Sequence, residues 1–127
     1  MRTILLVDDS RVTRELMKVY LIARDVSLIE AADGEEALAR VRAQRPDLVL
    51  ADLRMPKLDG PGLCQALQAD PATRGIPVLI LTSDKDSASA RRCLEAGARE
   101  VLTKPIQPQP LLQAVERSIG TTVSSPP

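Results

Sequence analysis

Three aspartates in this chain follow runs of apolar, strand-forming residues. Asp52 ends the apolar run at 47–52, and the pair Asp8 and Asp9 follows a second such run at 3–7. The carboxyl ends of parallel strands open on one edge of a sheet, so we expect these three carboxylates to converge there. Like charges in a partly dry site oppose one another's ionisation, and a bound cation relieves that cost. The pattern therefore predicts a metal site built from Asp8, Asp9 and Asp52.

Two further polar residues stand at the ends of predicted strands. Thr82 follows the apolar run that starts at Pro77, and Lys104 follows Val101 to Thr103. Carboxylates with a divalent cation can hold the oxygens of a phosphoryl group, a lysine can offset its charge, and a threonine hydroxyl can donate to it. An aspartate is also an accepted nucleophile for forming an acyl phosphate. The five side chains together predict phosphoryl chemistry at Asp52.

The elements that must position these residues alternate along the chain. Short β-rich apolar runs exchange five times with segments of helical periodicity, which is typical of an α/β protein with a parallel sheet and helices on both faces. The predicted strands cover residues 3–8, 26–31, 47–52, 77–82 and 100–103. The second of these is mixed in polarity and suits an edge of the sheet.

Five helices are predicted between and after these strands. The first begins after Ser10, a good N-cap, and is expected to pack through one face that carries Val12, Leu16, Val19 and Tyr20. The second follows Gly34 and stops before Pro46, the third starts near Pro61, and the fourth covers about 87–96 and ends at Gly97. The fifth offers an inner face of four residues, Leu111, Leu112, Val115 and Ile119.

Composition bounds the class of protein. The 127 residues fit one domain, and 17 basic against 17 acidic residues provide no basic field for nucleic acid or membrane. The sequence starts without the pattern of a signal peptide, so we expect a cytoplasmic location. The chain contains no histidine, which excludes a histidine base, ligand or phosphohistidine within it. Residues 1–120 are predicted to form the domain and residues 121–127 a flexible tail or the start of a linker.

The two cysteines, Cys64 and Cys93, lie far apart in the sequence and outside any Cys-x-x-Cys pattern. A metal or redox motif is therefore not indicated. We expect both to be buried, reduced thiols that act as small apolar residues.

Five short motifs resemble the receiver domain of two-component response regulators. The resemblance covers residues 3 to about 119, and its motifs stand in the family's order and spacing. They are Leu6 to Ser10, Asp52 to Pro56 with Asp59 and Gly60, Leu81 to Ser83, Glu95 to Ala98, and Leu102 to Pro105.

The resemblance implies a flavodoxin-like, doubly wound sheet of five strands in the order 2-1-3-4-5 with five helices. It also implies a phosphoacceptor role for Asp52 and a Mg²⁺ site formed by Asp9, Asp52 and the main-chain carbonyl of Arg54, with Asp8 acting mainly through a bound water. Lys104 and Thr82 would contact the phosphoryl group. The implied donor is a sensor histidine kinase or a phosphotransfer protein, and a downstream protein would read the surface of helix four, strand five and helix five.

The resemblance also implies a cis peptide bond before Pro105. In contrast, Val101 departs from the family, because many members have an aromatic residue there that turns inward as the threonine moves. Aromatic coupling through that position is therefore not expected in its usual form.

The same residues also allow other interpretations. Asp52 alone would suit the metal site of a nucleotide hydrolase, but the chain has no Gly-x-x-x-x-Gly-Lys-Ser/Thr loop. Asp8 and Asp9 alone would suit a polar turn that caps a helix, Thr82 a strand-end hydroxyl, and Lys104 a solvated charge. At the level of the whole protein, the alternatives are an interaction module that does not use the phosphoryl chemistry and a receiver fragment of a longer regulator.

Overall fold

The computed structural model describes residues 1–120. In this range five strands alternate with five helices. The strands are β1 (Arg2–Val7), β2 (Val26–Ala31), β3 (Leu48–Asp52), β4 (Val78–Thr82) and β5 (Glu100–Thr103). The helices are α1 (Arg11–Leu21), α2 (Gly34–Gln44), α3 (Gly60–Ala69), α4 (Ala88–Glu95) and α5 (Pro108–Ile119).

All neighbouring strands pair in parallel, in the order β2-β1-β3-β4-β5. This order confirms the flavodoxin-like topology, and β2 lies at an edge as its mixed polarity predicted. The central strands β1, β3 and β4 are almost fully buried, because both of their faces are covered by helices. The chain reverses its direction of winding at β1, so the carboxyl ends of β1 and β3 flank the crevice where open α/β sheets place their chemistry.

Alternate residues along the strands enter two separate hydrophobic cores. Leu5, Val7, Val49, Ala51 and Ile80 face one core, which α2, α3 and α4 cover. Their neighbours in the chain, with Ile4, Leu6 and Leu50 among them, face the other core, which α1 and α5 cover. The packing of these buried aliphatic residues on both faces of the sheet therefore fixes the positions of the polar residues at the strand ends.

The predicted inner face of α1 is wrong at three of its four residues, and only Tyr20 packs against the core as expected. Val12 and Val19 are 78% and 62% exposed, and Leu16 is 40% exposed, whereas Met17 and Leu21 are completely buried. Both faces of this helix carry apolar residues at helical spacing, so periodicity alone did not distinguish them. The result is an exposed apolar stripe along α1, which continues to Ile22 at 80% exposure.

Side-chain caps begin four of the helices, and the one at Ser10 confirms the predicted N-cap of the first helix. Ser10 accepts the N–H of Thr13 at 3.3 Å, and Asp33 accepts that of Glu36 at 2.8 Å. Asp59 and Ser87 accept in the same way at the starts of α3 and α4. Each of these caps satisfies a backbone donor that would otherwise have no partner.

The helix ends also agree with the sequence. The second helix stops at Gln44, before Pro46, and Gly97 has a φ of 109°, a conformation that favours glycine. No helix within residues 1–120 is long and apolar enough to span a bilayer. The predicted tail at 121–127 lies outside the described residues, and the domain boundary at residue 120 stays a prediction.

Candidate functional site

Three carboxylates meet where β1 and β3 end. Asp8 and Asp9 follow β1, Asp52 is the last residue of β3, and the two strands pair in register up to Val7 and Ala51. One oxygen from each carboxylate lies within 4.8 Å of the other two. Asp8 is 1% exposed, Asp52 is half-buried and Asp9 is exposed. The structure therefore brings together the three aspartates that the sequence predicted to converge.

Lys104 completes this cluster from the end of β5. Its Nζ lies 3.1 Å from Oδ1 of Asp52 and 3.4 Å from Oδ2 of Asp8. Its backbone N–H donates to the carbonyl of Thr82 at 2.8 Å, and its peptide bond to Pro105 is cis, as the resemblance implied. One ammonium group therefore contacts two of the three carboxylates directly.

Thr82 is the buried last residue of β4, one position beyond the residue that pairs with Asp52. Its Oγ1 accepts the N–H of Asp84 at 3.2 Å, so the hydroxyl hydrogen is left to donate elsewhere. Arg54 lies in the exposed loop after β3, two residues past Asp52. The structure thus puts both residues at the same edge of the sheet, on the loops that follow β3 and β4.

The charges in this cluster influence one another. Burial is the largest influence on Asp8 and raises its pKa, and the Asp52 carboxylate adds to the rise against the N–H of Ser10 and the charge of Lys104. For Lys104, burial works to lower the pKa, but the hydrogen bond and charge of Asp52, together with those of Asp8, leave it raised. Lys104 is therefore a firmly protonated cation beside two carboxylates.

Sequence reasoning missed a second layer of contacts behind Asp8. The Arg14 guanidinium donates through Nη1 to the main-chain carbonyl of Asp8 and through Nε to Glu30 at 2.9 Å. Lys18 also donates to Glu30, at 3.0 Å. Glu30 is the only charged residue in β2, and Arg14 and Lys18 lie four residues apart on one face of α1. This pattern of one acidic and two basic residues is the sequence signal that could have predicted their contacts. These contacts hold the loop that carries Asp8 and Asp9 against β2.

The loop after β3 is held by two close backbone contacts. A Cβ at Gly34 would lie 2.0 Å from the carbonyl oxygen of Leu58, so only glycine fits where this loop packs on the start of α2. The N–H of Gly60 donates to the carbonyl of Leu53 at 2.8 Å and turns the chain into α3. Both contacts restrict the segment that begins directly after Asp52.

Comparison with known proteins agrees with this geometry. The sequence matches the response regulator receiver domain family over residues 4–116. The chain belongs to this family. The receiver domain is 43% identical to the gliding motility regulatory protein of Myxococcus xanthus, over 90% of this chain and 15% of that protein.

Solved structures show the same fold. The chemotaxis protein CheY4 of Vibrio cholerae has a TM-score of 0.86 and 30% identity, with 93% of this receiver domain and 98% of that chain covered. The receiver domain of the sensor histidine kinase PA1611 from Pseudomonas aeruginosa, which has a magnesium ion coordinated in its active-site cleft, has a TM-score of 0.86 and 31% identity, with 94% and 98% covered. The first curated relatives that match are longer, and the chain spans about half of their length or less.

The donor set of this receiver domain fits a divalent cation. Carboxylate oxygens are the ligands that hard cations prefer, and three of them are already within reach of a single ion. Burial, and after it the charge of Asp52, raise the pKa of the Asp8 carboxyl, and a cation held between the carboxylates would oppose both effects. A divalent cation held by these carboxylates would lower the repulsion between Asp8 and Asp52.

Proposed function

We propose that Asp52 accepts a phosphoryl group from a phosphohistidine on another protein, and that the acyl phosphate changes how the surface of α4, β5 and α5 is presented to a partner. The observation that carries this proposal is the placement of Lys104 Nζ at 3.1 Å from Asp52 Oδ1, beside the two other aspartates. A nucleophilic carboxylate with a fixed cation next to it has the charge distribution that phosphoryl transfer requires.

The transfer step uses groups on both proteins. A carboxylate oxygen of Asp52 attacks phosphorus, the bond from phosphorus to the donor's imidazole nitrogen breaks, and its electron pair stays on that nitrogen. The chain itself has no histidine, so the donor is a separate protein or domain. We propose a sensor histidine kinase or a phosphotransfer protein, because these supply phosphohistidine to the receiver family.

The remaining site residues hold the phosphoryl group and the cation. Asp9, Asp52 and the carbonyl of Arg54 would bind Mg²⁺, with Asp8 acting mainly through a water. When bound there, a divalent cation would supply positive charge to offset that of the phosphoryl oxygens. Lys104, already poised beside Asp52, would bind one phosphoryl oxygen, and the free hydroxyl hydrogen of Thr82 would be donated to another. These roles assign one contact to each side chain that the strand ends bring together.

The output surface is connected to the site through Lys104. This residue also lines a shallow groove of about 500 Å³ with Val101, Leu102, Ile106 and Pro110, between β5 and the start of α5. If Lys104 moves from Asp8 toward a phosphoryl oxygen, the groove is the first part of the surface to change. The size of the response cannot exceed the phosphoryl group's preference for one arrangement over the other.

As a receiver domain, the protein is a signalling module with no separate substrate to turn over. We further propose that it acts in the cytoplasm on a downstream partner. It would do so either alone or as part of a longer regulator. The chain has no net positive charge to attract nucleic acid, since basic and acidic residues balance at 17 each. A protein partner is therefore the recipient we propose.

The proposal is tested by intact mass measurement after incubation with acetyl phosphate. We expect the protein to gain one phosphoryl group in the presence of Mg²⁺ and to gain none when EDTA is added beforehand. Asp52→Asn should gain nothing, and Asp25→Asn, which removes an exposed carboxylate between α1 and β2, should gain as the parent does. If the parent gains no mass with phosphoramidate either, the chain is an interaction module that does not use the chemistry.

A further inference from the structure

The two cysteines, far apart in the sequence, meet in the fold. Cys64 lies on α3 and Cys93 on α4, and both are free thiols with at most 1% exposure. Both belong to one buried cluster, and each thiol perturbs the pKa of the other. Packing of α3 against α4 therefore brings two oxidisable sulfur atoms close together inside the core that α2, α3 and α4 cover.

The backbone around Gly60 gives independent evidence of this contact. A Cβ placed on Gly60 would lie 3.3 Å from Sγ of Cys93, so that sulfur rests against the first turn of α3. Gly60 and Cys64 are four residues apart on this helix and share one face. Helical side chains lean toward the N-terminus, so the Cys64 side chain points back toward the space above Gly60. No side chain at position 60 separates the two sulfur atoms.

The pair is chemically asymmetric. The hydrogen bond to Cys93, together with burial, raises the pKa of the Cys64 thiol, and the same hydrogen bond lowers the pKa of Cys93 against the effect of burial. Thiolate is the reactive form of cysteine. Cys93 is accordingly the sulfur that would react first with an electrophile.

We propose that Cys64 and Cys93 form a reversible intramolecular disulfide when hydrogen peroxide oxidises the protein. The Cys93 thiolate attacks one peroxide oxygen, the O–O bond breaks, and the departing hydroxide takes the proton that the thiol released, which yields a sulfenic acid and water. The Cys64 sulfur then attacks the Cys93 sulfur, the S–O bond breaks, and the hydroxide leaves as a second water with the Cys64 proton. The two thiols together lose two protons and two electrons, which reduce one peroxide to two waters.

The bond would tie together the two elements that follow the functional loops. α3 begins where the loop after Asp52 ends, and α4 begins after the loop that follows Thr82. Because both sulfur atoms are buried, peroxide reaches them only when α4, a helix of eight residues, opens locally. We therefore expect oxidation slower than that of an exposed thiol, and a product in which α4 is held against α3. Nothing in this site requires the phosphoryl chemistry at Asp52.

Peptide mapping of the full chain tests the proposal. The folded protein is treated with hydrogen peroxide, its remaining thiols are alkylated in denaturant, and it is digested with trypsin without reductant. We expect an intact mass lower by two hydrogen atoms, peptides 58–74 and 93–99 joined by one bond, and full reversal by dithiothreitol. The linked form should also melt several degrees higher than the reduced form, because a cross-link constrains the unfolded chain.

Single variants separate the two roles. With dimedone present, Cys64→Ala should accumulate a trapped sulfenic acid at Cys93, and Cys93→Ala should trap much less at Cys64. If either variant fails to fold, the peptide map of the parent still decides the matter. Two alkylated thiols after peroxide treatment, bonds formed only between chains, or sulfinic acid without the 58–74 to 93–99 link would each overturn the proposal.

Discussion

The ammonium nitrogen of Lys104 lies 3.1 Å from Oδ1 of Asp52 and 3.4 Å from Oδ2 of Asp8. One side chain from the end of β5 therefore bridges carboxylates at the ends of β1 and β3. The ammonium group lies beside two like charges. A divalent cation or a phosphoryl group bound at the same carboxylates would change its interactions with them. Both the metal affinity and the switching proposed above depend on this arrangement.

Removal of the Lys104 charge should strengthen cation binding. In Lys104→Met, the aspartates lose a competing positive charge, so we expect Mg²⁺ to bind roughly tenfold more tightly, in line with an interaction of about 1 kcal/mol or more between unit charges 4 Å apart. Isothermal titration at constant ionic strength measures this. Lys85→Met, which removes an exposed charge from the loop after β4, should bind like the parent. Equal or weaker Mg²⁺ binding by Lys104→Met would contradict the electrostatic account.

Neutralisation of the buried carboxylate should stabilise the protein without metal. Asp8→Asn keeps an oxygen to accept the Ser10 N–H at 2.8 Å and removes a charge that burial, and then Asp52, disfavour. We expect a gain of about 1 kcal/mol in unfolding free energy at neutral pH in EDTA. Added Mg²⁺ should stabilise the parent by mass action and the variant much less. The difference in unfolding free energy between the two proteins should therefore narrow or change sign. Urea unfolding with and without Mg²⁺ gives both numbers, and a less stable variant in EDTA would refute the prediction.

The hydroxyl of Tyr20 should contribute to the position of the segment after Lys104. It donates to the carbonyl of Ile106 at 3.1 Å and so joins α1 to the chain that leads into α5. Tyr20→Phe should lose about 1 kcal/mol of unfolding free energy, the net contribution of one such hydrogen bond. Far-ultraviolet circular dichroism is the suitable probe, because Tyr20 is the only aromatic residue. Unchanged stability would show that water replaces this bond at no cost.

The ion pair between Glu100 and Arg117 should give a pH-dependent contribution to stability. Arg117 donates to Glu100 at 3.0 and 2.8 Å, and these bonds lower the pKa of Glu100 below its ordinary value. The stabilisation is therefore fully present above the unfolded pKa and is lost as the pH falls through the folded one. Since Arg117 is half exposed and solvent screens the pair, Arg117→Met should lower the unfolding free energy only slightly at pH 7.

Unfolding of the parent and Arg117→Met across a series of pH values checks this prediction. The difference between them should shrink as the pH falls below the ordinary pKa of glutamate, about 4.3, and it should also shrink in high salt, which screens exposed charges. A difference that grows on acidification would have the wrong sign for a carboxyl with a lowered pKa.

The sheet and the site were predictable because strand ends are marked in the sequence. Buried parallel strands are continuous apolar runs, so the polar residues that end them, Asp52 and Thr82 among them, stand out and must share one edge. The packed face of α1 was not predictable in the same way. Val12, Val19, Met17 and Leu21 are all apolar, and only the packing against β1 and α5 determines which of them are buried.

Contacts between distant elements were also beyond the sequence. The meeting of Cys64 with Cys93 depends on how α3 packs against α4, and no local pattern encodes that distance. The contact of Arg14 with the carbonyl of Asp8 has the same character, because its acceptor is a backbone atom and leaves no mark on residue type.

Chemical mapping of the phosphoryl group tests the central claim most directly. After treatment with acetyl phosphate and Mg²⁺, borohydride reduces an aspartyl phosphate to homoserine, and trypsin releases peptide 43–54, which contains both Asp47 and Asp52. The account predicts homoserine at position 52 and aspartate at position 47, with no homoserine at Asp8 or Asp9. Homoserine at another aspartate, or an unmodified Asp52 in protein that has gained a phosphoryl group, would contradict it.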